Sequence, residues 1–518
     1  MKISHKALFH KLQDTTTINR CEQYARWTLS YLMADPVTIA ASGRAVVERD
    51  FQSVGALLLN NLSAKLTQLL FPAQYPFFQA EVSKDFIKAA GRKGVSEEAL
   101  RSGLARLEVQ SNKRLLINSG YASLILALKY LIVVGNVLIY RDSKRGTLTT
   151  YGLRQFVTRR SHCGDIIDIV LREYTTVESL HEEIRSALKA GNPAKYGRDE
   201  QQVEKYTRIH REHRMDKCGY RVSQEIDTMA VGTDAWYPEE LCPWMAPTWC
   251  LIPGEHYGRG MVEDYAGDFA RLSALSEAAA LYGVEIMKVV HLVGSGSGGD
   301  VDDLAQAESG EYVRGDPDQV KAHEAGDARK LEALAADTAG VFARLSRAFM
   351  YQGGTRQAER VTAYELQRDA QEAEYALGGV YSTLSGGIQV PLAHILMTEV
   401  SDLALPGLIS GDLRPDVIAG IPALGRASDV QNLLMAGQEI AAAIPIAQLD
   451  KRIDPSRITD LVLKGRSVDP KSVFFTPEQQ KANEEAHAAQ QQANAAMLAG
   501  NTIADQGNQI AQTLGVKT

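Results

Sequence analysis

RQAERVTAYELQRDAQEAEYALGGVYSTLSGGIQVPL, residues 356 to 392, is the stretch around which the rest of the chain can be organised. Thr362-Ala-Tyr-Glu365 has the spacing of a capping box: the hydroxyl takes the third backbone amide while the carboxylate reaches back to the first. From there Leu366, Ala370, Ala373, Leu377, Val380, Leu384, Ile388, Leu392 and Ile395 advance by three or four, the spacing of one helix face. Gly386-Gly387 and Pro391 interrupt that face. A proline removes a donor and collides with the preceding turn, so a long helix bent in its second half is expected.

On the N-terminal side of this helix lies the loop QGGTRQAER, 352 to 360, and before it a helix from near Asp327 with the stripe Leu331, Leu334, Ala335, Thr338, Val341, Phe342, Leu345, Phe349 and Met350. A Gly- and Asp-rich insert, with at most a short strand around Tyr312-Val313, separates it from another helix. That helix carries Met261, Tyr265, Asp268, Phe269, Leu272, Leu275, Ala279, Tyr282, Ile286, Val289 and Val290 at helical spacing. Neither can bury its stripe without neighbours. Further back, past a Pro/Trp-rich link at 238 to 253, the runs TLTTYGLRQFVTR, DIIDIVLREY, VEKYTRIHREH and YRVSQEID read as antiparallel hairpins, with a polar loop near Ala190 to Glu200 between them.

Near the N-terminus, FQSVGALLLNNLSAKLTQLL, 51 to 70, places Val54, Leu57, Leu58, Asn61, Leu62, Lys65, Leu66 and Leu69 on one stripe, and Phe71-Pro72 ends it. Tyr121 to Tyr140 is apolar enough to span a bilayer, but Lys129 lies at its centre, and a buried helix running into a strand at Val137 to Tyr140 is expected instead. Beyond Pro406 come shorter helices, at 427 to 443 and 455 to 464. A Gln-, Ala- and Asn-rich tail from 476 starts helical and frays.

Several function classes are excluded. A formal net charge of −7 does not suit a protein that grips nucleic acid along a broad basic face. Five scattered cysteines do not make a disulfide framework, and they fit a reducing cytosol. Gly294, Gly296 and Gly299 spell a dinucleotide fingerprint, yet a helix precedes them and Asp300, Asp302 and Asp303 follow where a phosphate wants positive charge. No G-x-x-x-x-G-K-[ST] occurs, so an ATP-driven motor is not indicated. His210 and His213 are an odd number apart on a strand and point to opposite faces, which leaves them unsuited to share a metal with Cys218. No carboxylate pair stands at a spacing that organises a reaction, so neither enzyme nor cofactor is expected.

Two stretches resemble the head-to-tail connector, or portal, family of short-tailed podophages: VGALLLNNLSAKLTQLLFPAQYPFF at 54 to 78, and the 356 to 392 stretch, with its E-R-V-T-A-x-E opening and L-G-G-V-Y-S-x-L-S interior. LKYLIVVGNVLIY at 128 to 140, HYGRGMVEDYAGDFARL at 256 to 272 and PALGRASD at 422 to 429 add weaker support. Order and spacing match over most of the chain, least so in the hairpin region and the insert at 294 to 326. The resemblance implies an α+β, mainly α, portal fold with wing, stem, clip and crown regions, assembled as a ring. On that map 1–257 is the N-terminal part of the wing, 258–292 the first stem helix, 293–326 the clip, 327–350 the second stem helix and 351–361 the tunnel loop. Residues 362–402 form the kinked wing helix, 403–475 the crown and 476–518 the tail.

It further implies a homo-oligomer of about twelve subunits at one capsid vertex, made in the host cytoplasm. Double-stranded DNA would be packaged and ejected through it without sequence specificity. The terminase large subunit, the tail adaptor, and the major capsid and scaffolding proteins would be its other partners, and no membrane. Twelve helices about 10 Å across set side by side leave roughly 28 Å clear, enough for a duplex of about 20 Å. The residues expected to face DNA are Arg356 and Arg360, on a polar rim of Gln352, Gly353, Gly354, Thr355 and Gln357. Arg360 can instead pair with Glu365 or Glu359, and Arg344 and Arg347, off the stripe of the second stem helix, can face the tunnel or a neighbouring subunit. A virion assembly scaffold of amphipathic helices without a channel is the alternative.

Overall fold

The computed structural model describes residues 3–293, 320–324, 328–351, 379–401, 407–408 and 411–417, apart from 46, 74–75, 93–95, 215–216 and 287–288, together with 302 and 306. The chain divides into two units, Met1–Ile421 and Pro422–Thr518, and the described residues all belong to the first. The glycine fingerprint, the 312–313 strand, the capping box at 362, the helices at 427–443 and 455–464 and the tail lie outside them.

The N-terminal helices are defined by their caps. Ser4 caps α1 (His5–Leu12), and Asp14 caps α2 (Thr15–Trp27), accepting from the amides of Thr16 and Thr17 and from the Thr17 hydroxyl. Those bonds, the Thr17 hydroxyl first, hold the Asp14 carboxyl below its ordinary value. Asp35 and Pro36 open α3 (Pro36–Ser42). In α4 (Val54–Leu70) the buried face is Gly55, Leu58, Leu59, Leu62, Ser63, Leu66, Thr67 and Leu70. This face is rotated by part of a turn from the expected stripe, sharing Leu58, Leu62 and Leu66 with it: Leu57 is exposed, and Asn61 and Lys65 leave the core face. Gly55 allows the approach, since a Cβ there would sit 2.0 Å from the Trp27 carbonyl oxygen.

Next come β1 (Phe78–Val82), α5 (Lys84–Arg92) and α6 (Glu97–Leu116), then Asn118 and Ser119, both left-handed at φ 59° and 62°, and α7 (Gly120–Val134). The stretch Ala99–Val134 is long and apolar enough to cross a bilayer by length and composition. Here α7 instead buries Leu124, Leu128, Leu131, Ile132 and Val133 in the main core and runs into a strand, as expected. Lys129 is half-buried, and that burial pulls its ammonium below the ordinary value.

Strand β2 (Leu138–Asp142) lies between β3 (Thr147–Tyr151) and a short Trp244–Met245 strand. The hairpins merge into one antiparallel five-stranded meander of β4 (Phe156–Arg160), β5 (Ile166–Thr176), β6 (Gln202–Arg214), β7 (Lys217–Ile226) and β8 (Met229–Pro238). The expected polar loop at 190 to 200 is in part helical: α8 (Glu182–Gly191) runs into it and α9 (Pro193–Tyr196) follows, Asn192 capping the second. The Trp244–Met245 strand is β9.

A short α10 (Met261–Asp264) leads to α11 (Ala266–Ile286), which stops before the expected end: Val289–Val293 is β10, paired antiparallel with β11 (Val320–Glu324). Three β-branched residues in Val289-Val-His-Leu-Val293 favour the extended chain, which the apolar spacing alone did not distinguish from helix. Helix α12 (Ala328–Ala348) returns along α11. The kinked helix is seen from its second half: α13 (Val380–Leu384), a π-helical turn at Ser385–Gln389 that takes in Gly386-Gly387, and α14 (Val390–Val400) with Pro391 in its first turn. Finally β12 (Leu413–Val417) pairs with β1, which brings residues 413–417 back to the N-terminal part of the chain.

Two buried polar knots fix this arrangement. Arg141 on β2 is 0% exposed and grips Glu399 at the end of α14 with two bonds of 2.8 and 2.7 Å, while also donating to the Gly146 carbonyl at 2.9 Å. Asp168, also 0% exposed, accepts from Arg159, from Arg208 at 2.7 and 3.0 Å, and meets His210 Nδ1 at 2.7 Å. Burial pushes its carboxyl up, but the hydrogen bonds and charges of Arg159 and Arg208 outweigh it and the net shift is downward.

Glu399→Gln, which leaves the Arg141 guanidinium buried without its countercharge, is expected to cost about 3 kcal/mol, read as a fall in the urea midpoint at unchanged m. A depressed carboxyl stabilises the fold above the unfolded pKa of about 3.9, and that stability is lost as pH falls through the folded value. Asp168→Asn should therefore lower stability at pH 7 and flatten the loss of stability below about pH 4, measured by denaturation at a series of pH values.

Candidate nucleic-acid interface at the stem

Helices α11 and α12 lie antiparallel, because Asp268 meets Arg344 and Arg271 meets Asp337, each pair at 2.6 Å. Between them Phe269, Leu272, Val341, Leu345 and Phe349 are all 0% exposed. The Phe349 ring stands edge-on to Phe269 at 5.7 Å and to Tyr265 at 5.9 Å. Packing is confined to this end. Farther along, Leu281 and Val284 are 63% and 57% exposed, and Leu331 and Leu334 are only partly covered.

The expected site residues fall into two sets. Gln352, Gly353, Gly354, Thr355, Arg356, Gln357 and Arg360 lie outside the described residues. Arg344 and Arg347 are described, on the last turns of α12. Arg344 is engaged within the chain: its bond to Asp268 comes first among the causes that raise its pKa. Arg347 is exposed on the final turn, where its charge complements the negative end of the helix.

The end of α12 is built with care. Met350 takes a left-handed φ of 51°, and the Tyr351 amide donates to the Ser346 carbonyl at 2.8 Å. The Met350 carbonyl then accepts from Lys65 Nζ at 2.7 Å and from Asn61 Nδ2 at 3.2 Å, both on α4, and Asn61 reaches the Phe349 carbonyl at 3.4 Å. These donors satisfy carbonyls of the segment leaving the helix, and the Lys65 ammonium lies near the negative end of the α12 dipole. Sequence reading placed Asn61 and Lys65 on an apolar stripe; two polar residues on an otherwise apolar face were the available signal that this face meets a polar target.

Among the described residues no three His, Cys, Asp or Glu side chains form a metal-binding group. His213 stands opposite Cys218 on the neighbouring strand, while His210 faces Asp168.

Residues 6–473 match a sequence family described as bacteriophage head to tail connecting protein. The portal protein of Pseudomonas phage phiKMV is 41% identical over 485 residues, covering 94% of this chain and 94% of its own. That of Enterobacteria phage SP6 is 31% identical over 80% of this chain and 78% of its own, and that of Escherichia phage T7 is 29% identical over 92% and 89%. A chain from the solved neck of an empty GTA particle, computed with C6 symmetry, aligns at TM-score 0.36 and 14% identity over 78% of this chain and 89% of that one.

The uneven packing of the stem gives a paired expectation. Phe349→Ala should cost about 3–5 kcal/mol in a guanidinium titration, whereas Leu281→Ser, at an exposed position, should stay within about 0.5 kcal/mol.

Proposed function

This chain belongs to the head-to-tail connecting, or portal, family of short-tailed bacteriophages, and on that footing we propose that it closes into a ring of about twelve copies at one capsid vertex, around a channel for double-stranded DNA. The observation that carries the ring is the exposed outer part of the stem. Leu281 and Val284 face water on the end of the helix pair that lies away from the Phe349 packing, and Ala278, Tyr282, Ala333 and Leu334 line a groove beside Leu281. A second copy of the same helix pair buries such a face, and repetition of one such contact closes a ring.

DNA passes through by contacts that carry no sequence information: arginine forks meet phosphates, and a net charge of −7 keeps the wall from holding the duplex. Arg356 and Arg360 are the foremost contacts, with Gln352, Gly353, Gly354, Thr355 and Gln357 as the rim. Arg347 joins them more readily than Arg344, which Asp268 already engages. The ring is a structural conduit without an ATP site of its own. The terminase large subunit supplies the work during packaging, and the tail adaptor, major capsid and scaffolding proteins dock around it.

Purified protein should give rings with a central hole in negative-stain images. Leu281→Asp with Val284→Asp should leave a folded chain that no longer closes. In infected cells, Arg356→Ala with Arg360→Ala should keep rings intact and lower the yield of packaged DNA; an unchanged yield removes both residues from the role. A cross-link from residues 352–359 to packaged DNA separates the conduit from a scaffold that lies outside any channel.

A further inference from the structure

Helix α4 stands between the stem and the wing helix and is bonded to both in the same manner. Asn61 and Lys65 donate to carbonyls just past the end of α12, those of Phe349 and Met350, at 2.7 Å from the Lys65 ammonium to Met350. At its own C-terminal end α4 is the acceptor: the Tyr381 hydroxyl donates to the Leu69 carbonyl at 3.2 Å, and Gln389 Nε2 to the Leu70 carbonyl at 2.5 Å. At both junctions carbonyls at or just beyond the C-terminal end of one helix accept from side chains of a neighbouring segment. Gln389 is 0% exposed and sits in the π-helical turn, the irregular point of the wing helix. A buried amide whose acceptor moves must follow it or lose the bond, and an unmet buried polar group is costly.

We propose that α4 is a coupling strut, with Lys65 and Asn61 as positioning residues at the stem end and Gln389 and Tyr381 at the wing end, so that the end of α12 and the π-helical turn shift together. The contacts fit a transmitting role better than a stability role alone. The apolar face of α4 already secures it in the core through Leu58, Leu59, Leu62, Leu66 and Leu70, all 0% exposed. The four donors do not add to that face; they join helix ends that belong to different regions of the chain. Between Lys65 and Leu70 the link runs along little more than one helical turn, close enough for the two ends to be energetically coupled. This inference does not rest on the ring or on DNA.

Hydrogen exchange on the full-length chain, read by mass spectrometry, tests it. Lys65→Met keeps the length of the side chain and removes its charge and donors. It should raise exchange about tenfold at 345–351 and at least about fivefold at 380–389, while the strands of the five-stranded sheet keep their wild-type rates. Coupling is reciprocal, so Gln389→Met should raise exchange at 345–351 as well as in its own turn. Asn61→Ala, a milder cut at the stem end, should show the same pattern at smaller amplitude. Effects confined to 345–351 in Lys65→Met and to 380–392 in Gln389→Met would overturn the proposal. An equal rise in every region in both Lys65→Met and Asn61→Ala would overturn it too, since it would make these residues ordinary supports of the whole fold.

Discussion

Burying a guanidinium away from water is costly unless a carboxylate is brought to it, and for Arg141 that carboxylate comes from Glu399, 258 residues away. The pair cannot form until β2, the end of α6 and the last turn of α14 have all reached their places, because Arg141 Nη2 also approaches the Arg114 carbonyl at 3.4 Å and Arg114 itself meets Glu399. An unpaired charge at this point would be costly, so any fold that misplaces α14 is disfavoured. The neighbouring elements follow from this demand. With Glu399 fixed, the π-helical turn is held near α4, and beyond α14 the chain returns to pair β12 with β1, Ser83 bonding Asp412 at 3.0 Å. A smaller closure joins the other flank: the Asn136 side chain and the Gly258 backbone exchange two bonds of 2.7 Å, binding the end of α7 to the approach to the stem.

Local features of this fold were legible in the sequence because their causes are local. Phe71-Pro72 ended α4, the apolar run at 121 to 140 became helix then strand, the period-two runs became strands of the meander except that TLTTY formed β3 beside β2, and the paired glycines marked the irregular π-helical turn. What escaped was partner choice. Nothing near Arg141 announces that it is buried, since a charged residue on a strand ordinarily faces solvent. The rotation of α4 by part of a turn escaped for a related reason: Thr67 and Ser63 bury their hydroxyls by bonding within the helix, the Thr67 hydroxyl donating to the Ser63 carbonyl at 2.7 Å, and so count as core although their side chains are polar. At 289–293 apolar spacing suited helix and strand alike, and pairing with 320–324 decided between them.

At the candidate interface the helices were legible and the choice among side chains was not: apolar spacing marked α11 and α12, but it could not separate Arg344 from Arg347. That distinction depends on Asp268, which lies on the other helix at a position that only the antiparallel packing reveals. The same packing is uneven among the described residues: aromatic rings close the helix pair near Phe349, whereas Leu281 is left exposed.

That exposed end has a thermal consequence. Contacts made through Leu281 and Val284 draw their free energy largely from released water, so they carry a negative heat-capacity change and weaken on cooling. The Arg271–Asp337 and Arg344–Asp268 pairs that tie the two helices within one chain respond to ionic strength instead. In the proposed ring, warmth therefore governs how firmly one copy holds the next, while salt loosens only the exposed ion pairs and leaves the buried packing of α11 on α12 in place.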